Sequence, residues 1–283
     1  MNVYWLLCIP AGILLCGVVF SVASYMLYWY EHQSTFHTIF PSSKQAAAAT
    51  RSGIISGAIG QSIALTLLPF GALRQLAEKN TPQVPAPAPT PIIFIHGLFH
   101  NSSAWALYKH WFKQHGYANC AAFYYSSTHS FDTIAAQLET YLQTFFDQYP
   151  DTTPILIGHS LGGLLLRNWV NTTQYAARPR AVITLGAPMH GSKLATFSLR
   201  QLGKTLDYNG NLIQSITQHD QPPSSPCFAL YSPVDNMVLP QKSVATPPRH
   251  WKPVQTKAVS HIAMLSSKSV AEQILNIITS IPA

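Results

Sequence analysis

Charge is scarce in this sequence. Only 10% of its 283 residues are Asp, Glu, Lys or Arg, against about a quarter in an ordinary soluble domain. No charged side chain falls between Met1 and Tyr30. Acids are the scarcer kind, ten against seventeen Lys and Arg, for a formal charge of +7. Nothing resembles the clustered carboxylates that calcium requires, and neither a metal nor any other cofactor is expected. The basic excess is spread thinly. No dense run of Lys and Arg argues for a nucleic-acid partner, although a positive balance suits an anionic membrane surface. Cysteine is also rare. Cys8, Cys16, Cys120 and Cys227 show neither Cys-x-x-Cys nor Cys/His zinc spacing, and a domain of this size does not need a disulfide framework.

What the chain has instead is apolar length. Residues 1–30 are dominated by Leu, Val, Ile, Trp and Tyr, enough for one helix across a bilayer. Trp5 and Tyr28–Trp29–Tyr30 stand near its two ends, where interfacial aromatics belong. A cleaved signal peptide would need a basic start and a shorter apolar run. No Lys or Arg precedes Lys44, and Ser21–Val22–Ala23 is the available cleavage site. A lipoprotein anchor is disfavoured, because Cys16 follows Leu14–Leu15. Residues 1–30 are therefore expected to be a transmembrane anchor, and residues 31–80 a membrane-proximal segment. Within that segment Ser52 to Leu73 is a second uncharged stretch, with Gly53, Gly57 and Gly60 at spacings that permit close helix packing. It suits a second span forming a hairpin with the first, an interfacial helix, or a helix lying on the enzyme. Residues 81–91 hold five prolines, an extended and semi-rigid linker.

Beyond Pro91 the pattern changes to short apolar runs alternating with helical periodicity. Strands are expected at Ile92–Ile95, Cys120–Tyr125, Ile155–Ile157, Val182–Leu185, Phe228–Tyr231 and Lys257–Val259. Helices are expected at Ala104–His115, Thr133–Gln148, Leu161–Val170 and Ser269–Thr279. Such alternation predicts an α/β domain over residues 92–283, with a mostly parallel sheet flanked by helices.

The most specific motif is Gly158–His159–Ser160–Leu161–Gly162, followed by Gly163. It sits between a buried-strand run and a helix, the setting a nucleophile elbow demands. Ser160 would stand in a strained turn with Gly158 and Gly162 making room for it. His159 is expected to pack away from the substrate. Upstream, the strand Ile92–Ile95 ends in His96–Gly97–Leu98–Phe99. The backbone N–H groups of Leu98 and Leu161 are assigned as the oxyanion donors, each contributing roughly 3–4 kcal/mol to a transition state. A base and an acid must then follow in the order acid, histidine. Asp207 and Asp220 lie in polar, Gly/Pro-rich surroundings. Asp235 follows a strand, and His261 follows the expected strand Lys257–Val259 and precedes the terminal helix; His250 lies in a Pro-rich stretch. Ser160, Asp235 and His261 are the expected triad. His190 lies in Leu185–Gly186–Ala187–Pro188–Met189–His190–Gly191–Ser192. After it, residues 192–226 place Leu194, Phe197, Leu199, Leu202, Leu206, Leu212 and Ile213 either as an apolar lid or as helices packing on the sheet edge.

These motifs, with Trp105 and Tyr124–Tyr125–Ser126, resemble bacterial lipases and esterases of the α/β-hydrolase superfamily, in particular the branch of triacylglycerol lipases and GPI inositol-deacylase-like enzymes. The resemblance covers about residues 90–283. It departs at Ala187–Pro188–Met189, where Thr-Pro-His is commoner. It implies the α/β-hydrolase fold and hydrolysis of carboxylic esters through an acyl-enzyme on Ser160, with lipid or other acyl esters as substrates. It implies a membrane location, a bacterial inner membrane. Acyl transfer on the same triad, peptidase activity, and a non-catalytic binding protein on a hydrolase scaffold are the other readings.

Overall fold

The structure, a computed structural model, describes residues 4–77 and 90–282. Two long helices come first, α1 (Tyr4–His32) and α3 (Ser43–Ala77), separated by the short α2 (Phe36–Ile39). Both are long and apolar enough to cross a membrane, over Cys8–His32 and Ser43–Leu73. The second begins well before the apolar stretch because Ser42 caps it, its hydroxyl accepting the N–H of Gln45 at 3.3 Å. Pro69 lies inside it. The helices run antiparallel. Gly17 faces Ala58 and Ser62, Ser21 faces Gly57, and Tyr25 faces Gly53, and Ser21 Oγ donates to the carbonyl of Ile54 at 2.8 Å. Small residues at these positions let the two backbones approach. The Pro-rich linker expected at 81–91 lies outside the described residues except for Thr90 and Pro91.

The α/β domain follows as β1 (Ile92–Ile95), a 3₁₀ turn and α4 (Ala106–Gln114), β2 (Cys120–Phe123), α5 (Phe131–Gln148), β3 (Ile155–His159), α6 (Leu161–Thr172) and β4 (Ala181–Leu185). Then come α7 (Gln201–Lys204), α8 (Asn211–Gln218), β5 (Cys227–Tyr231), α9 (Lys242–Ala245), β6 (Lys252–Gln255) and α10 (Lys268–Ser280). The six strands form one sheet in the order β2-β1-β3-β4-β5-β6, and every neighbouring pair is parallel. Strands β1, β3 and β4 are buried at every position, which is why they read as unbroken apolar runs. On one face, Ile93, Ile95, Leu156 and Val182 pack under α5 and α6. On the other, Ile92, Phe94, Ile155, Ile157 and Ile183 pack under α4 and α10. Each fully buried Ile, Leu or Phe contributes about 1.5–3 kcal/mol.

Because all strands are parallel, their carboxyl ends share one edge. Ile95 pairs with Gly158, and His159 with Leu185, so the loops after β1, β3 and β4 leave the sheet side by side.

One expected strand is misplaced. Lys257–Val259 is a loop, and the last strand is Lys252–Gln255. That strand is an edge, largely exposed, and carries Pro253, which only an edge tolerates. The apolar run divides instead, Ala258 packing on the aromatic cluster of the hairpin and Val259 on the sheet core under α4 and α10. The segment 192–226 divides between the two readings. Leu202, Leu206 and Ile213 join the core, whereas Phe197 and Leu199 stay exposed at 72% and 99%.

Candidate active site

Strand β3 delivers Ser160 into a turn with φ 54° and ψ −120°. A residue with a Cβ adopts such a backbone only under constraint, at a cost of order 1–3 kcal/mol. The constraint is visible. Ser160 N–H donates to the carbonyl of Leu185 at 2.8 Å, and α6 starts at the next residue. A Cβ on Gly158 would lie 2.5 Å from the carbonyl oxygen of Gly162, and one on Gly162 would strike the backbone of Ile95 and His96. The glycines of the motif are therefore required by close backbone approach.

The loop after β1 closes against this turn. A Cβ on Gly97 would stand 3.1 Å from Ser160 Cβ and 3.0 Å from His159 Nδ1. Among the described residues no protein acceptor takes the N–H of Leu98 or of Leu161, so both remain available to a ligand. His96 fixes the loop. Its ring stacks on Tyr125 with centroids 4.2 Å apart. Its Nδ1–H donates to the carbonyl of Gly97 at 2.8 Å, its Nε2 accepts the N–H of Tyr125 at 3.4 Å, and Tyr125 Oη donates back to its carbonyl at 2.9 Å. Those roles need a neutral ring, and burial holds His96 down to about 3. Phe99 has φ 60°, and its N–H donates to Ser127 Oγ at 2.9 Å.

Asp235 and His261 meet at the same edge. Asp235 is fully buried and His261 is 7% exposed, with Oδ2 2.7 Å from Nδ1. Asp235 Oδ1 accepts the N–H groups of Met237 at 3.0 Å and Val238 at 2.9 Å, so the carboxylate is spread over three donors. A carboxylate on Nδ1 places the imidazole proton there and leaves Nε2 as a base. Gly186, at φ +57°, walls the pair; a Cβ on it would lie 3.0 Å from His261 Nδ1 and 3.1 Å from Asp235 Oδ2.

His159 lies beneath His261, its ring centroid 4.7 Å away. Its Nε2–H donates to the carbonyl of His261 at 3.1 Å. Burial, then the charges of His261 and His100, keep it neutral well below the ordinary histidine range. His100 is likewise lowered, to about 4, by burial and by His261. The other candidates are engaged elsewhere. Asp220 pairs with the buried Arg167, Asp207 bonds the N–H of Tyr208, His190 contacts Thr246, and His250 is exposed. Burial pushes the thiols of Cys120 and Cys227 up to about 11 and about 12, so neither competes as a nucleophile at neutral pH. Among the described residues no group of three or more His, Cys, Asp and Glu could hold a metal ion.

Sequence reasoning missed Asn236. Its Oδ1 accepts the N–H of His261 at 3.0 Å, joining the two loops that carry the pair. Its one signal is its place directly after Asp235. His100 and the wall made by Gly186 were likewise not assigned roles.

Residues 92–272 match the model of a family described as the alpha/beta hydrolase family. A search of curated proteins returns no match. Among solved structures, the lipase BlEst2 of Bacillus licheniformis, in mature form, is 19% identical, covers 71% of this chain and 95% of its own, and superposes with a TM-score of 0.58. The lin2722 product of Listeria innocua is 13% identical over 69% and 95% of the two chains, with a TM-score of 0.52. Phospholipase PlaB of Legionella pneumophila is 17% identical with a TM-score of 0.46; the match covers 50% of this chain and only 37% of the phospholipase. At these identities the likeness is one of fold.

Proposed function

The chain belongs to the alpha/beta hydrolase family, and from that premise we propose that it is a serine hydrolase of carboxylic esters, acting on lipid or other acyl esters at a membrane. The observation that carries this reading is the buried Asp235–His261 pair, 2.7 Å apart, on the sheet edge that also holds the strained turn of Ser160. Ser160 Oγ attacks the ester carbonyl while His261 Nε2 takes its proton. The oxyanion is received by the N–H groups of Leu98 and Leu161. Collapse expels the alcohol, which receives the proton from His261, and leaves an acyl-enzyme on Ser160. Water, deprotonated by the same imidazole, releases the acid. Asp235 holds the ring in its working tautomer and stabilises the imidazolium. Rate is expected to fall on acidification, because a protonated imidazole cannot accept the serine proton.

Lipid esters are favoured by the surroundings of the site. Phe99, Phe197 and Leu199 are large apolar residues left exposed. Leu98 lies within contact distance of the α7 helix, a Cβ on Gly203 meeting Leu98 Cδ2 at 3.3 Å, so the segment carrying Phe197 and Leu199 borders the proposed oxyanion loop. The hairpin adds a larger apolar surface, with Leu14, Leu15, Val18, Val19 and Phe20 exposed on α1 and Ile55, Ile59, Phe70 and Leu73 on α3. A surface of this kind is covered by lipid or by a partner, and we assign it to a bilayer, the inner membrane of a bacterium. In alkaline carbonate extraction the chain should stay with the membrane pellet; release to the supernatant would count against membrane integration.

The activity test uses the full chain in detergent with p-nitrophenyl esters of short and long acyl chains. Long chains should turn over best, and Ser160→Ala should lose on the order of 10⁴–10⁶ in kcat. An alanine variant as active as wild type would remove Ser160 from the mechanism. Turnover of short chains alone would remove the lipid reading and leave an esterase.

A further inference from the structure

The two loops that carry Asp235 and His261 have little regular structure of their own, and each rests on one helix of the N-terminal hairpin. Helix α1 holds the acid loop from one face. Tyr25 Oη donates to the carbonyl of Val234 at 2.7 Å, Tyr28 Oη to that of Pro233 at 2.9 Å, and His32 Nε2 accepts the N–H of Gln241 at 2.8 Å. Helix α3 holds the histidine loop. Ser52 Oγ donates to the carbonyl of Ala258 at 2.8 Å. Ser56 Oγ accepts the N–H of Ser260 at 2.9 Å. Gly60 presses on the residue two beyond His261, where a Cβ would stand 2.9 Å from Ala263 Cα. Residues 52, 56 and 60 lie on one face of the helix.

Two serines repeat one device. Ser24 Oγ donates its proton to the carbonyl of Ser21 at 2.9 Å and accepts Asn236 Nδ2–H at 2.6 Å. Ser56 Oγ donates to the carbonyl of Gly53 at 3.0 Å and accepts the N–H of Ser260. In each case the hydroxyl proton is committed to the serine's own helix, so only a lone pair faces the catalytic loop. This fixes the Asn236 amide: Nδ2 must face Ser24, and Oδ1 must face the N–H of His261. The backbone of His261 is thus tied to α1 through Asn236, and that of its neighbour Ser260 to α3 through Ser56.

Resting on the proposed triad, we propose that the hairpin is a working part of the active site, with Ser24, Asn236 and Ser56 as positioning residues that set His261 against Asp235 and Ser160. The apolar N-terminus is then not a tether that could be exchanged for another anchor. Its polar inner face completes the catalytic geometry, and its apolar outer face meets lipid.

The test uses the full chain in detergent micelles, with kcat, KM, thermal midpoint and fluorophosphonate labelling measured for wild type, Ser160→Ala, Ser24→Ala, Ser56→Ala, Ser56→Thr and Asn236→Ala. Displacing a catalytic group by a fraction of an ångström reduces turnover, so Asn236→Ala should lower kcat about 10–100-fold and each serine-to-alanine change about 5–10-fold, with KM within about twofold. Ser56→Thr, which keeps the hydroxyl, should recover most of the Ser56→Ala loss. Variants that melt earlier but keep kcat per labelled molecule would overturn the proposal, because the contacts would then be merely structural. Unchanged kcat and midpoint would overturn it equally. A wild type that fails to label would sink both this proposal and the triad on which it rests.

Discussion

Ser160 occupies a backbone conformation that a residue with a side chain adopts only where its surroundings force it, and those surroundings were legible in the sequence. Glycines at 158 and 162, a strand before and a helix after define the turn whatever the rest of the fold does. The pairing of Asp235 with His261 was legible by chain order, although the strand expected before His261 is a loop. Asn236 was not, because its role depends on a side chain reaching across to a loop 25 residues further on, and a single sequence carries no trace of that contact. Asp235→Asn should leave the fold intact and lower kcat by about 10⁴, the loss expected when the imidazole takes the wrong tautomer. An asparagine variant within tenfold of wild type would place the acid elsewhere. Three histidines give a second prediction. His96 and His100 stay neutral in the folded chain, lowered to about 3 and about 4, and His159 is lowered too. An unfolded histidine protonates near 6.5, so below that pH the unfolded state binds protons that the folded state does not. Stability should therefore be fully present above about pH 6.5 and fall as pH drops towards 4, by up to about 1.4 kcal/mol per pH unit for each such group. A thermal midpoint in detergent that is flat from pH 7 to pH 4.5 would contradict this.

Among the elements, those buried on both sides were the easiest to foresee. Strands β1, β3 and β4 are continuous apolar runs because helices cover both faces. Strand β6 was missed for the opposite reason: as an exposed edge it needs no apolar run, and the run nearest to it is a loop shared between the hairpin and the sheet core. Helix α3 was legible as apolar, and a helix lying on the enzyme was only one of its three readings, since Gly53, Gly57 and Gly60 suit packing on any smooth partner. In the structure Gly57 and Gly60 meet the histidine loop, at Ser260 and Ala263. Gly60→Leu should consequently push α3 away from Ala263 and lower kcat several-fold even where the protein still inserts and folds; full activity in that variant would mean the loop holds itself. The exposed Phe197 and Leu199 supply a separate test. Replacing both with serine should raise KM for long-chain esters and leave short-chain hydrolysis unchanged, whereas equal effects on both chain lengths would remove these residues from acyl recognition.

At the scale of the whole molecule, scarcity of charge was the first feature of the sequence, and the structure gives that scarcity a location. The apolar side chains left exposed gather on α1 and α3, while the same helices turn serines, tyrosines and His32 inward to the loops of Asp235 and His261. The hairpin and the α/β domain are built as one body. The sequence could separate them into segments but could not show them touching, because the contacts join residues about 200 positions apart. The proposed function rests above all on Ser160 as the nucleophile. It is tested most directly by treating the full chain in detergent with a fluorophosphonate and mapping the adduct by peptide mass spectrometry. One modified residue is expected, Ser160, with labelling abolished in Ser160→Ala and strongly slowed in His261→Ala. An adduct on another serine, or labelling that survives Ser160→Ala, would contradict it.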